Sequence, residues 1–299
     1  MKSREFYNAP NPTTTRGMRA LSPSLKLLYH RGMDRQLVII CLLTAGINLI
    51  GTLAYAARIA GVRTGRIAMS FALFNMLVLV SRTSNSFLGP VLAKRIETHI
   101  ADGGGSSLTH DFRLVLSSAT VAVFIGILLV PSGQRLFARA IGYFQQHRSM
   151  GRMLLRTATP AGLTAMRQSL RLPSSSHFRD LILPRGVGWG VLTANVLAQA
   201  LITVGVLASL YAGYLNPEFR VTASQLSAVI NGFATILLFA LIDPQLSVMT
   251  DDVVEGRVDA ALFRRTIVWV SLSRLLGTVL AQIFFVPAAM LIAMIASRV

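Results

Sequence analysis

The chain alternates between long apolar runs and shorter polar connections. Six of the runs approach or exceed the twenty or so helical residues that are needed to cross a hydrocarbon layer of ~30 Å. They lie at about residues 37–57, 67–90, 113–130, 187–214, 222–246 and 267–296. The pattern therefore predicts an all-α, polytopic integral membrane protein whose transmembrane domain, residues 37–299, holds about six helices.

Two polar segments lie outside these runs. Residues 1–36 form a polar and basic N-terminal tail, and residues 131–186 form the longest connection, with nine arginines and Asp180 as the only acid. Within residues 131–186, arginines stand between regularly spaced apolar residues, which is typical of a helix lying in the headgroup plane. We expect a basic amphipathic interfacial loop here, and the alternative is a soluble helical hairpin.

Composition supports an integral membrane protein and predicts anionic lipids as its partners. The chain is 53% hydrophobic and 14% charged, whereas soluble domains carry about 25% charged residues. Its net charge of +17 would indicate nucleic acid in a hydrophilic protein, but in an apolar chain it indicates anionic membrane lipids. Cys41 is the only cysteine and no phosphate-binding loop is present. We therefore expect no nucleic acid, no cofactor, no metal and no catalytic residue.

Four of the six runs carry polar residues at helical spacing on one face. Hydrogen bonds between packed helices account for any one such stripe. Four stripes, one of which includes an arginine, favour a shared hydrated cavity between the helices. The stripes are Thr44, Asn48, Thr52 and Tyr55; Asn195, Gln199 and Thr203; Ser227, Asn231 and Thr235; and Arg274, Thr278 and Gln282.

The second run carries a charge into the bilayer. Its strictly apolar part, residues 67–80, is too short to span, so the helix must continue through Arg82. Asn75 and Asn85 share the side of Arg82. An arginine in hydrocarbon costs at least ~2.5–3.5 kcal/mol. Either Arg82 snorkels to the headgroups, or its planar guanidinium forms an anion site suited to phosphate oxygens.

Further charges lie in the last two runs. Arg274 stands inside the apolar part of the sixth, and Asp243-Pro244 interrupts the fifth, because proline removes a backbone donor. Asp243 could pair with one of the arginines or take up protons, unless it merely ends a helix at the interface.

Small residues at 273, 277 and 281 predict a close approach between two helices. The acids Asp251, Asp252, Glu255 and Asp259 have the spacing of a magnesium site, but neighbouring arginines favour a solvated loop.

Several stretches resemble one known family. They include NLIGTLAY at 48–55, residues 58–75, SRTSN at 81–85, residues 203–213 and 222–232, and IDP at 242–244. Together, from about residue 37 to the C-terminus, the chain resembles the Amj family of bacterial lipid II flippases, the alternates to MurJ. The resemblance implies a multi-pass protein of the bacterial cytoplasmic membrane that is not an enzyme. It also implies transport of lipid II, the undecaprenyl-pyrophosphate-linked disaccharide-pentapeptide, for cell-wall synthesis.

Because the resemblance supplies no residue-level mechanism, roles are assigned from the residues. We expect Arg82 and Arg274 to bind the pyrophosphate and Asp243 to couple transport to an energy source. Arg58, Arg63 and Arg66 would gather anionic lipid at the entrance. Amide side chains would bind the polar head, namely Asn48, Asn75, Asn85, Asn195, Gln199, Asn231 and Gln282. Two alternatives remain: an enzyme acting on polyprenyl phosphates through Asp251, Asp252, Asp259 and Mg²⁺, or an exporter of another amphiphile.

Overall fold

The structure, a computed structural model, describes residues 35–101, 105–147, 159–170 and 188–299. Every regular element within these ranges is helical. The α-helices are α1 (Arg35–Thr64), α2 (Ile67–Ala101), α3 (Gly105–His147), α4 (Pro160–Ser169), α5 (Trp189–Leu215), α6 (Arg220–Leu237), α7 (Asp243–Val254) and α8 (Ala260–Ala296). Residues 40–299 form one compact unit, and the described part of residues 1–39 is the start of α1.

Six spans in the described ranges are long and apolar enough to cross a bilayer, which confirms the predicted class. Five are α1, α2, α3, α5 and α8, and the remaining one runs from Pro217 to Val254 and includes α6 and α7. Five of the six are longer than predicted, whereas the fourth, Trp189–Leu215, has nearly the predicted bounds. A membrane helix satisfies its own backbone, so polar residues flanking an apolar run continue the helix at no cost in backbone hydrogen bonds.

The polar segments are only partly described. Helix α3 continues through Pro131 to His147, so it includes the first part of the segment 131–186. Helix α4 follows, with the Thr159 hydroxyl accepting a hydrogen bond from the Gly162 amide. Residues 148–158 and 171–187 of the expected interfacial loop, and residues 1–34 of the tail, lie outside the described residues.

The turn between α1 and α2 requires a glycine. Gly65 has φ 67°, the left-handed conformation that commonly ends helices and that glycine adopts without strain. The Arg66 amide donates to the Gly61 carbonyl across the turn, and the Ser70 hydroxyl donates to the Ala57 carbonyl at 2.8 Å. These bonds fix α1 and α2 as an antiparallel pair.

The fifth span stays helical but changes its geometry where the sequence predicted an interruption. A π-helical segment, Leu238–Ile242, separates α6 from α7, which begins at Asp243-Pro244. Pro244 has no amide proton, so the regular hydrogen-bond ladder cannot pass through it. The extra residue of a π-segment accommodates this loss, and it sets Asp243 at the start of α7.

Close packing of α5 against α8 holds the centre of the bundle. A side-chain carbon at Gly277 would lie 2.7 Å from the Val196 carbonyl oxygen, so only glycine allows this approach. The buried Asn195 amide donates to the Val270 carbonyl at 3.0 Å and to the Ser273 hydroxyl at 2.7 Å. The small residues at 273, 277 and 281 therefore lie on the buried side of α8.

An apolar core fills the end of the bundle near the turn between α1 and α2. It includes the end of α1 around Ala57, Phe74 of α2, Ile242 and Leu246 of the fifth span, and Phe263 of α8. All five are buried. This core closes one end of the cavity described next.

Candidate functional site

A cavity of about 270 Å³ that both polar and apolar side chains line lies between the spans. Helices α1, α2, α3, α5, α6 and α8 contribute to its wall, together with the π-segment and Asp243. Its polar lining residues are Thr44, Asn48, Tyr55, Ser81, Arg82, Asn85, Ser86, Gln199, Thr203, Asn231, Thr235, Asp243 and Arg274. Three of the four predicted stripes contribute two or more residues, and the fourth contributes Arg274.

Both predicted arginines lie well inside their helices. Arg82 stands fifteen residues after the start of α2 and Arg274 fourteen after the start of α8. At 1.5 Å per residue these positions are about 22 Å and 21 Å from the first residues of their helices. Both side chains line the same cavity.

Arg82 joins α2 to the fifth span through neutral groups. Its Nη1 donates to the Thr235 hydroxyl at 2.7 Å, and its guanidinium carbon lies 5.1 Å from the centre of the Phe239 ring. The Thr235 hydroxyl in turn donates to the Asn231 carbonyl. Among the described residues Arg82 has no ion pair.

Arg274 likewise has no carboxylate partner in the described ranges. Its Nη2 donates to the Asn48 Oδ1 at 3.4 Å, a long bond, and its buried Nε has no hydrogen-bond partner. The backbone of Gly51 lies against the guanidinium, since a side-chain carbon there would be 2.7 Å from Nη2. The Oδ1 of Asn231, across the cavity lining, is also buried and unpartnered.

The third arginine is held differently. Arg58 is 1% exposed, and its Nη2 donates to the Asp243 Oδ1 at 2.9 Å. Its guanidinium carbon lies 4.2 Å from the centre of the Phe74 ring and 4.8 Å from that of Phe71. Asp243 lines the cavity with a side chain that is 20% exposed. Arg58 is thus a buried counterion behind the cavity wall, and it does not lie at an entrance with Arg63 and Arg66, which are exposed.

The predicted amides divide into two groups. Asn48, Asn85, Gln199 and Asn231 line the cavity, whereas three others lie elsewhere. Asn75 is exposed, Asn195 is buried against α8, and Gln282 donates to the Ser117 hydroxyl at 3.1 Å. Both explanations of the stripes therefore apply, because some of their members pack helices and others face the cavity.

Sequence reasoning missed several contributors to the cavity wall, among them Gly51 and Phe239. Gly51 follows Asn48 by three residues and precedes Tyr55 by four, so it belongs to the polar face of α1, a signal that could have identified it. Phe239, which stacks beside Arg82, follows Thr235 by four residues. An aromatic residue in an apolar span carries no distinguishing signal.

The acidic cluster considered for magnesium has structural partners. Asp252 accepts from Arg257 at 2.6 Å, and Arg257 also pairs with Glu255. Asp259 caps α8 by accepting from the Ala261 amide. Within the described ranges, no group of three or more histidine, cysteine or acidic residues could hold a metal ion.

Comparison with known proteins assigns the family. Residues 43–296 match the family model Amj, described as alternate to MurJ. The chain belongs to the Amj family. A relative in Bacillus subtilis (strain 168), lipid II flippase Amj, is 38% identical over 261 residues, covering 86% of this chain and 95% of the relative. No solved structure matches the chain. Six membrane-spanning helices and membership of the Amj family make it a multi-pass protein of the bacterial cytoplasmic membrane.

Proposed function

We propose that this chain moves lipid II across the cytoplasmic membrane and that Arg82 and Arg274 bind the pyrophosphate of the substrate. The relative in Bacillus subtilis is named as a lipid II flippase, and a flippase is a transporter rather than an enzyme. The observation that carries the binding site is the pair of guanidiniums that line one cavity between the spans and form no ion pair among the described residues.

The chemistry of the two groups fits a diphosphate. A guanidinium presents several donors in a plane and matches phosphate oxygens two at a time. Arg82 and Arg274 are bonded only to the neutral side chains of Thr235 and Asn48. Exchanging these bonds for bonds to phosphate oxygens replaces neutral acceptors by charged ones, so each guanidinium gains a counterion with which it can form two parallel hydrogen bonds.

The size of the cavity limits what it binds. Its volume of about 270 Å³ lies just below the roughly 300–1,000 Å³ of pockets that hold drug-sized molecules. This is enough for a diphosphate and its first contacts, but not for a disaccharide-pentapeptide. We therefore assign the cavity to the diphosphate and the adjoining part of the head, while the hydrocarbon tail stays in lipid.

Polar neighbours complete the proposed site. Asn48, Asn85, Gln199 and Asn231, which line the cavity, would donate to and accept from the substrate head. Arg63 and Arg66 are exposed in and beside the turn between α1 and α2. In this proposal they attract anionic lipid to the membrane surface.

Asp243 remains our proposed coupling group. It is the acidic residue among those that line the cavity, and its partner Arg58 is fixed behind the wall. A proton or cation that neutralises the carboxylate would raise the positive charge facing the diphosphate. Binding of the substrate and binding of the coupling ion would therefore influence one another.

Reconstitution in liposomes tests the proposal. Arg82→Ala and Arg274→Ala should each reduce lipid II translocation at least about tenfold, since a charge-assisted hydrogen bond contributes about 1.5–3 kcal/mol. Arg264→Ala, an exposed position on the same helix as Arg274, is the matched control and should leave translocation unchanged. Full activity of both cavity variants would refute the site. Chemically altered lipid in place of translocated lipid would instead favour an enzyme.

A further inference from the structure

Four charged side chains lie at or directly behind the cavity in the part of the chain that the structure describes. Arg82, Arg274 and Asp243 line it, and Arg58 contacts Asp243 and Phe74 from behind the wall. Arginine stays protonated in proteins. Three guanidiniums and one carboxylate therefore leave the cavity with two positive charges in the middle of the bilayer.

Diphosphate lipids differ in charge according to their ester bonds. In a sugar-linked polyprenyl diphosphate both phosphorus atoms are esterified, so each retains one ionised oxygen and the total charge is −2. A polyprenyl diphosphate without its sugar has a free terminal phosphate, whose second ionisation occurs near pH 6. At neutral pH that lipid carries nearly three negative charges.

We propose that Asp243 is a specificity-determining residue, which sets the cavity at two positive charges and so selects diphosphate diesters over diphosphate monoesters. This inference rests on the proposed function and names the substrate class of the same site. A diester leaves no net charge in the low-dielectric interior of the membrane. A monoester leaves one charge uncompensated, and uncompensated charge is costly there.

The geometry indicates why Asp243, and not Arg58, is the residue that determines specificity. Its Oδ1 is held at 2.9 Å from the Arg58 Nη2, and the Arg58 Nη1 also lies 3.5 Å from the Ser247 hydroxyl. Arg58 is enclosed by Phe71 and Phe74 and is 1% exposed, so it cannot reach a ligand. Its charge acts on the cavity only together with Asp243, which makes Arg58 a positioning residue and Asp243 the group that faces the substrate.

A competition experiment tests the assignment with the full chain in phospholipid nanodiscs. Bound fluorescent lipid II is displaced by unlabelled lipid II or by undecaprenyl diphosphate, and the ratio of the two dissociation constants is compared between variants. Contacts to the sugar and peptide contribute equally to the ratio of dissociation constants in every variant. A change in this ratio therefore reports the net charge of the cavity. Asp243→Asn, with three positive charges, should move the ratio about tenfold towards undecaprenyl diphosphate.

Two further variants complete the charge series. The double variant Arg58→Met, Asp243→Asn has two positive charges and should restore the wild-type ratio. Arg58→Met alone leaves one positive charge and should move the ratio in the opposite direction. Asp252→Asn, the same substitution at the far end of α7, is the matched control and should change nothing.

The outcomes separate this inference from the function on which it rests. An unchanged ratio in Asp243→Asn, or a double variant that keeps the ratio of Asp243→Asn, overturns the assignment. If Asp243→Asn does not fold, an unchanged ratio in Arg58→Met overturns it equally. Lipid II binding that is insensitive to Arg82→Ala and Arg274→Ala refutes the proposed site itself, whereas sensitive arginines with a constant ratio refute only the charge selection.

Discussion

Substitution of Gly51 tests the cavity without removing any polar group. A side-chain carbon at this position would lie 2.7 Å from the Nη2 of Arg274, 3.2 Å from its Cζ and 3.4 Å from its Nη1. Non-bonded heavy atoms prefer separations of about 3.5–4.0 Å. In Gly51→Ala the guanidinium must therefore move away from α1 by about 1 Å, which also lengthens its bond to Asn48.

The magnitude follows from the bonds that this movement misaligns. Hydrogen bonds to charged groups contribute about 1.5–3 kcal/mol, and each 1.4 kcal/mol corresponds to about tenfold in affinity. Loss of the aligned contacts between Arg274 and the diphosphate should weaken binding roughly 10- to 100-fold. The helix itself should gain about 0.5–1 kcal/mol, because alanine loses less conformational entropy than glycine in a helix interior.

Gly46→Ala is the matched control, since a side-chain carbon there meets nothing within 4 Å on the same helix. Lipid II translocation in liposomes and thermal unfolding in detergent should be measured for both variants. We expect both to unfold at or above the wild-type temperature, while only Gly51→Ala loses translocation. If Gly51→Ala transports lipid II as fast as Gly46→Ala, the position of the Arg274 guanidinium beside α1 has no role in transport.

Three further substitutions test the packing around the cavity. Gly277→Ala should lower the unfolding temperature and the yield of folded protein, because its side chain would meet the Val196 carbonyl, whereas Gly232→Ala, in open space, should not. Asn195→Ala should destabilise by about 0.6–1.7 kcal/mol without changing lipid II affinity in nanodiscs, because Asn195 contacts α8 and not the cavity. Asp111→Asn, which removes the ion pair with the buried Arg95 at 2.8 Å, should destabilise by about 1.5–3 kcal/mol in chemical denaturation.

Hydropathy was sufficient to predict the spans. In a bilayer every backbone group must be satisfied within its own segment, so a long apolar run has little choice but to form a helix. The predicted interruption at Asp243-Pro244 is present for a similarly local reason, the missing amide proton of Pro244. Bounds were less well predicted, because polar residues continue a helix once the apolar part has formed it.

Helical periodicity was less informative about which polar residues meet. Asn195 and Gln199 stand four residues apart on the same face of α5, yet only Gln199 lines the cavity. Asn195 instead contacts α8, because the two helices pack closely around Gly277. A repeat of three to four residues defines a face, but the crossing of the neighbouring helix decides which part of that face is covered.

The arginines differ in a way that no pattern in the sequence reveals. Arg58 lies six residues before the end of α1, a position typical of a side chain that reaches for headgroups, yet it is buried against Asp243, 185 residues away in the chain. Its burial is offset by one carboxylate, two aromatic rings and Ser247. Arg82 and Arg274 form no ion pair among the described residues, and Asp243, the acidic residue that lines their cavity, is already paired with Arg58. The cations in and behind the cavity therefore outnumber the carboxylate there, and an anion from elsewhere would offset the cost of burying them. This surplus of positive charge in the described part of the chain, more than the presence of three arginines, is what directs the proposed site to an anionic substrate.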